Sequence, residues 1–296
     1  MTDYVKQHST HVHFPFSDSW VILTPIEQRI KSKIEKIGIP LNKWNISINF
    51  GIKTGCNEAF IIDKNKREEL IKKDANSAEI IRPILRGRDI KRYGYEFAEK
   101  YIIATFPSRK YDIDDYPAVR DYLLNYGKRK LEQSGKPGAR KKTSHKWFET
   151  QDPIAYTDDF SKQKIIWKRI GSILRFCYDD GKYMVLDSTC FATGDHLKYI
   201  LAFLNSKVGH YLLQDSPKTG TGDLLISVQA LEPLKIPCIN NKDEIEIIAL
   251  TDYLSLSKNK KNTHNIAEIE REINNMIYSL YNLNDDEISF INTNIR

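Results

Sequence analysis

The chain has 296 residues, 28% charged and 41% hydrophobic, with a mean hydropathy of -0.50. That length suits one large domain or two modest ones with a substantial core. No apolar run reaches the roughly 18 residues a membrane span needs, and residues 1–19 lack the apolar stretch of a signal peptide. The four cysteines (Cys56, Cys177, Cys190, Cys238) are far apart and form no C-x-x-C. A disulfide framework or structural zinc site is therefore not expected, and a cytoplasmic location is.

In chain order, residues 1–18 read as a loosely ordered tail, with His11 and His13 as tail or surface-strand residues rather than metal ligands. Apolar Ile26, Ile30, Ile34 and Ile37 fall at helical spacing over 26–37, and Gly38 and Pro40 end that helix. Residues 44–50 alternate (Trp44, Ile46, Ile48, Phe50) and predict a strand, followed by a turn and a second strand over 59–62. A short helix over 66–73 has Asp63 or Asn65 as its cap. Residues 101–106 predict a strand. Residues 116–131 predict a helix with Pro117 in its first turn.

A basic loop comes next. Between 128 and 146 lie Lys128, Arg129, Lys130, Lys136, Arg140, Lys141, Lys142 and Lys146 against one acid, Glu132. The net charge of +6 is unremarkable by itself. This local excess reads either as the footprint of a nucleic-acid site or as a solvated loop. Strands are expected over 164–168, 174–178 and 183–186, a single helix over 197–213, and a short strand over 224–228. From residue 243 onward the chain turns helical (245–256 and 266–281), with a polar linker over 258–265 between the two helices. The alternation of strands and helices predicts an α/β or α+β domain with a helical C-terminal appendage.

Two blocks carry the most chemistry. The first is Asn49-Phe50-Gly51-Ile52-Lys53-Thr54-Gly55-Cys56-Asn57, and the second is Pro83-Ile84-Leu85-Arg86-Gly87-Arg88-Asp89-Ile90-Lys91-Arg92-Tyr93. The Gly-x-Lys-Thr-Gly turn offers backbone N–H groups, a hydroxyl and an ammonium. The second block offers guanidinium forks around one glycine, with Asp89 free to pair with a neighbouring arginine. Both suit a polyanion with base edges to read. The turn is not a nucleotide-binding P-loop, because its Lys-Thr precedes the second glycine. A salt-bridged structural corner is the alternative reading of the arginine block.

These blocks resemble the TaqI-like target-recognition domain, the C-terminal specificity module of DNA adenine methyltransferases and type II (type IIG) restriction–modification enzymes. In that group a GIKTG-type turn precedes a segment similar to "iikPllrGrdikrY". Trp147-Phe148-Glu149 followed by Phe160 to Trp167 resembles its "W.e" and "f..pKiiw" elements. Ser216 to Asp223, running to Leu234-Lys235-Ile236-Pro237, resembles its Gly-rich loop and "l..l.iP" exit, shared with type I specificity subunits. Residues 269–288 resemble its "iN.lvyeLYgLteeEi" ending. The likeness runs from Trp20 to Ile288.

The resemblance implies a mixed β-sheet target-recognition domain over 19–237 with flanking helices, and a helical C-terminal segment over 238–296. It implies double-stranded DNA as partner. The implied contacts are Lys53, Thr54, Asn57, Arg86, Arg88, Lys91, Arg92, Arg140, Lys141, Lys142, Lys146, Lys168, Arg169, Lys218, Thr219 and Thr221. Ile165, Ile166 and Trp167 are expected in the core.

The catalytic parts of such enzymes are not legible here. No [DNS]-P-P-[YFW] loop or S-adenosylmethionine loop occurs. There is no Glu-x-Lys, and neither Asp89-Ile90-Lys91 nor Asp180-Gly181-Lys182 follows a Pro-Asp. His145, His196 and His210 lack carboxylate spacing for a zinc hydrolase, and Cys56 lacks a histidine partner. The expectation is a module without catalysis, cofactor or metal of its own. S-adenosylmethionine, with Mg2+ a second candidate, belongs to a fused or partner methyltransferase or nuclease domain. A stand-alone nuclease with a diverged active site is the alternative, and an assembly module docking through its C-terminal helices is a third reading.

Overall fold

The computed structural model describes residues 23–257 and 264–295. The tail expected over 1–18, Trp20 and most of the linker over 258–265 lie outside the described residues.

Thr24 opens the first helix, α1 (Pro25–Ile37), with a reciprocal capping box to Glu27, and Ile30 and Ile34 face inward. The chain continues through β1 (Gly38–Pro40), β2 (Ile46–Phe50), α2 (Asn57–Phe60), β3 (Ile61–Asp63), α3 (Lys64–Lys73), α4 (Ser77–Ile80) and β4 (Ile81–Leu85). It goes on through β5 (Ile90–Lys91), β6 (Gly94–Tyr95), β7 (Lys100–Ile103), α5 (Pro117–Leu131), β8 (Lys164–Lys168), β9 (Ile170–Gly171) and β10 (Phe176–Asp179). Next come β11 (Met184–Val185), β12 (Thr189–Gly194), α6 (Leu197–Asn205), α7 (Lys207–Leu213), β13 (Leu224–Leu225), α8 (Val228–Leu231) and β14 (Lys235–Pro237). Helices α9 (Asn241–Ser257), α10 (His264–Leu280) and α11 (Asp285–Asn294) finish it.

Two four-stranded sheets build the body. The first has the order β10-β8-β12-β2 and is antiparallel throughout. The second has the order β11-β4-β7-β3, with β11 parallel to β4. Alternation along the strands sorts the side chains into layers. Ile165 and Trp167 of β8, with Cys190 and Ala192 of β12, join a core with α1, α6, α7 and the C-terminal helices. Ile166 and Phe191, on the opposite faces of the same strands, meet Ile84 and Ile102 of the second sheet. The far side of that sheet (Ile62, Ile81, Ile103) packs on Leu70 of α3 and on Val119 and Leu123 of α5. The layers are helix, sheet, sheet, helix, the mixed α and β class expected from the sequence. Each fully buried large apolar side chain contributes about 2 kcal/mol to this packing.

Several expected elements differ in detail. Residues 57–60 form a helical turn, so the strand expected over 59–62 starts at Ile61. The helix expected over 197–213 breaks at Ser206, whose hydroxyl accepts the Gly209 N–H and caps α7. Just before the break, buried Asn205 accepts the Phe176 N–H (3.2 Å) and donates to the Phe176 carbonyl (2.9 Å). The strand expected over 224–228 ends at Leu225, and Val228 starts a helix. Strand β12 is not among the expected strands, although it lies between β2 and β8.

His210 of α7 is largely buried, and its pKa falls to about 4, through desolvation first and then Arg92 and Lys207. Below about pH 6.5 the unfolded chain takes up a proton that the native state resists until about pH 4. Stability therefore falls as pH drops through that window, by on the order of 3 kcal/mol at most. Urea unfolding at a series of pH values should show this slope in the parent chain and a flatter one in His210→Gln. Equal slopes would mean that His210 does not carry it.

Candidate nucleic-acid interface

The ends of several strands meet at one place. β2 and β8 run antiparallel to β12 and finish beside its start, with Phe50 opposite Cys190 and Lys168 opposite Thr189. β4 runs parallel to β11, with Leu85 opposite Val185. The chain leaving β2, β4, β8 and β11 is therefore gathered around the turn at residues 186–189.

That turn is held from three sides. Ile52 N–H donates to the Val185 carbonyl (2.8 Å), Asp187 N–H to the Ile52 carbonyl (3.0 Å) and Leu186 N–H to the Leu85 carbonyl (3.0 Å). Arg169 N–H donates to the Ser188 carbonyl (3.0 Å). Two glycines permit the approach. A Cβ on Gly51 would collide with the Leu186 carbonyl oxygen, and one on Gly87 would sit 3.0 Å from Lys168 Cγ and 3.1 Å from the Ser188 carbonyl oxygen. The Gly87 N–H instead donates to Ser188 Oγ at 3.0 Å.

The cationic side chains around this turn are Lys53, Arg88, Lys168 and Arg169. Lys53, Arg88 and Lys168 are exposed and Arg169 is half-buried. Among the described residues none of the four makes an ion pair within 4 Å, whereas Lys33, Lys64, Lys73, Arg120 and Lys198 elsewhere are paired. The Arg169 guanidinium lies 5.9 Å from the ring centre of Phe50, which is 39% exposed. Phe50 ends the alternating run over 44–50, and it is exposed where Ile46 and Ile48 of the same run are half-buried.

The Gly-rich loop joins the same edge. β13 pairs with β9, with Leu225 opposite Ile170, and Ile226 N–H donates to the Arg169 carbonyl (2.8 Å). Lys218, on the loop before β13, bridges to Leu224, and the hydroxyls of Thr219 and Thr221 lie 2.8 Å apart.

Four expected contacts are corrected by the structure. Arg140 is buried at 4% exposure and is a staple. It donates to the carbonyls of Leu131 (2.8 Å), Thr54 (2.8 Å), Glu149 (2.8 Å) and Trp147 (2.7 Å). Burial lowers its pKa to about 10. Thr54 is buried as well; its hydroxyl donates to Asn57 Oδ1 (2.7 Å) and accepts the Cys56 N–H (3.1 Å). Arg86 closes a fork on buried Asp89 (Nε 3.0 Å, Nη2 2.8 Å), so the salt-bridged corner is the reading that holds for that side chain. Arg92 reaches away to Glu270 (2.8 Å) and the Asn205 carbonyl (2.6 Å), tying the arginine block to α10.

The other expected contacts remain at the surface. Asn57 is exposed, and Lys91 pairs with Glu96 at 3.2 Å. Lys141, Lys142 and Lys146 are exposed on the loop that Arg140 fastens to the Gly-x-Lys-Thr-Gly turn. Sequence reasoning missed Asp187 and Ser188. Their only signal is a polar pair between two apolar runs, and without β12 that pair has no partner to turn toward. No group of three or more His, Cys, Asp or Glu among the described residues could hold a metal ion. Nor is any described helix long and apolar enough to cross a membrane.

An edge of loops on a rigid two-sheet scaffold defines the class, a specificity module. The family described as the TaqI-like C-terminal specificity domain matches residues 82–234, and the chain belongs to it. Among solved structures, the type IIL restriction–modification enzyme MmeI, in complex with DNA, superposes with a TM-score of 0.60 at 13% identity, over 86% of this chain and 35% of that one. The type IIG restriction endonuclease BpuSI gives a TM-score of 0.48 at 12% identity, over 87% and 33%. The chain thus spans about a third of the length of these structures.

Replacing Arg140 with Met should destabilise the fold by roughly 3 kcal/mol, because it strands buried carbonyls in the basic loop and the turn. Urea unfolding measures this. A loss below about 0.5 kcal/mol, the scale of surface substitutions, would mean that the staple is dispensable.

Proposed function

We propose that this chain is the DNA target-recognition module of a restriction–modification system and that it binds the duplex along the edge around residues 186–189. The single observation that carries the reading is the gathering of Lys53, Arg88, Lys168 and Arg169 at that edge without acidic ion-pair partners among the described residues. Of the acids close by, Asp89 is taken by Arg86, while Asp187 lies within electrostatic reach of Arg169 and Lys53 without an ion pair. Unpaired cations keep their field for phosphates, and releasing the counterions those phosphates hold supplies affinity.

Lys53, Arg88 and Lys168 neutralise phosphates and set register. Arg169, braced over Phe50, with Lys218, Thr219 and Thr221 of the loop before β13, faces base edges in the major groove. Lys141, Lys142 and Lys146 extend the basic surface to one flank, and Asn57 and Lys91 lie at its margin. The recognition body covers 19–237. The segment over 238–296 completes it, since Ile247, Leu254, Ile273 and Ile277 lie in the same core. Methylation with S-adenosylmethionine, and any cleavage, are assigned to a fused or partner catalytic domain. MmeI, whose structure holds DNA, supports the DNA-binding reading through its shared fold.

The test is a gel-shift titration of the chain on a 30-base-pair duplex at several salt concentrations. Arg88→Ala combined with Lys168→Ala should lower affinity at least tenfold at low salt. The double variant should also reduce the slope of log K against log salt by about 0.9 for each phosphate no longer neutralised. Arg92→Ala, remote from this edge, should leave that slope unchanged. Unaltered affinity and slope in the double variant would remove this edge from the interface.

A further inference from the structure

Asp187 is an acid placed where a phosphate-binding edge has least use for one. It occupies the middle of the turn at residues 186–189, its own N–H bonded to the Ile52 carbonyl, with Arg169 bonded to the next residue. Lys53 and Arg169 both act on its carboxyl electrostatically, yet among the described residues it forms no ion pair within 4 Å. It is half-buried, and desolvation raises its pKa, opposed by Arg169 and Lys53. The backbone around it cannot relax easily, because Gly51 packs against Leu186 on one side of it and Gly87 against Ser188 on the other.

A carboxylate here repels phosphate and weakens non-specific binding, so its benefit must come from a hydrogen-bond donor on the ligand. In the major groove the donors are the exocyclic amines, N4 of cytosine and N6 of adenine, whereas guanine and thymine present acceptors at the corresponding edge. A rigid acceptor flanked by two cations suits that difference. It takes an amine from one base while Lys53 and Arg169 hold the neighbouring phosphate or acceptor. We propose that Asp187 is a specificity-determining residue whose carboxylate accepts a hydrogen bond from the exocyclic amine of a cytosine or adenine in the recognised site. This rests on the DNA-binding reading above and goes beyond it by naming a base-reading group and the base chemistry it selects.

The experiment is selection and sequencing of bound duplexes from a library with a randomised 14-base-pair core. It compares the parent chain with Asp187→Asn and Asp187→Ser, each checked by thermal melting. The parent should select a consensus containing a C·G or A·T pair whose preference drops roughly tenfold or more in both variants, while every other position is kept. The identity of that pair distinguishes the two amines. Affinity for an arbitrary duplex should stay level or rise in the variants. A parent consensus retained at every position in the variants overturns the inference and leaves the DNA-binding reading intact. So does a uniform loss at all positions, or unfolding of both variants, either of which makes Asp187 structural. A parent chain that selects no sequence overturns both.

Discussion

Two backbone hydrogen bonds join the sheets: Ile52 N–H to the Val185 carbonyl and Asp187 N–H to the Ile52 carbonyl. Buried backbone groups must find partners, and here the chain leaving β2 supplies them to the turn that follows β11. The sheets are thereby fastened at one end. Their facing sides are filled by Phe160, Ile166 and Phe191 from one direction and Ile84 and Ile102 from the other. Because the join lies beyond the ends of β2, β4 and β8, whatever follows those strands emerges together. The clustering of these loops is thus a consequence of how the two sheets are joined.

Buried polar groups reinforce that arrangement by linking segments distant in sequence. Lys164 donates to Asp179 across the β8–β10 pair at 2.5 Å, both fully buried, and desolvation lowers the lysine's pKa. Glu287 of α11 takes Lys33 of α1 at 2.7 Å, and Arg92 takes Glu270 of α10. Such pairs recover little net stability over an apolar substitute, yet each is costly to break once formed. Arg140 belongs with them. Its four carbonyl partners convert a lysine-rich loop from a solvated excursion into a wall beside the Gly-x-Lys-Thr-Gly turn.

The sequence made the period-bearing elements plain. Ile30 and Ile34 mark α1, the run from Lys164 to Lys168 marks β8, and Asp63 caps α3 as its position suggests. Less legible were elements whose reason is tertiary. β12 contains Thr189, Cys190, Ala192 and Gly194, too small and mixed to alternate clearly, and it is a strand because β2 and β8 pair with both its edges. The break at Ser206 follows from Asn205 locking onto Phe176, an interaction no local pattern shows. Lys53, Arg88, Lys168 and Arg169, singled out in the sequence, are brought to one edge by the fold. Composition cannot tell an arginine that faces solvent from one that turns inward, so Arg86, Arg92 and Arg140 read like the rest. The difference lies in Asp89, Glu270 and four carbonyls, whose positions only the fold supplies.

That sorting of cations explains how a net charge of only +6 can serve a polyanion. Charges consumed within the scaffold contribute nothing to the outer field, and those left at the edge are few but concentrated on short, braced loops. Glycine at 51 and 87 fixes where the loops stand, while Lys53, Arg88, Lys168 and Asp187 differ only in what they present. The two tasks fall on different residues. Exchanging a presented side chain leaves the join between the sheets untouched, whereas a Cβ at Gly51 strikes the Leu186 carbonyl in the turn itself. A fold built this way lets the side chains at this edge vary without renewed cost to folding, because they lie outside the hydrogen bonds that hold the sheets together.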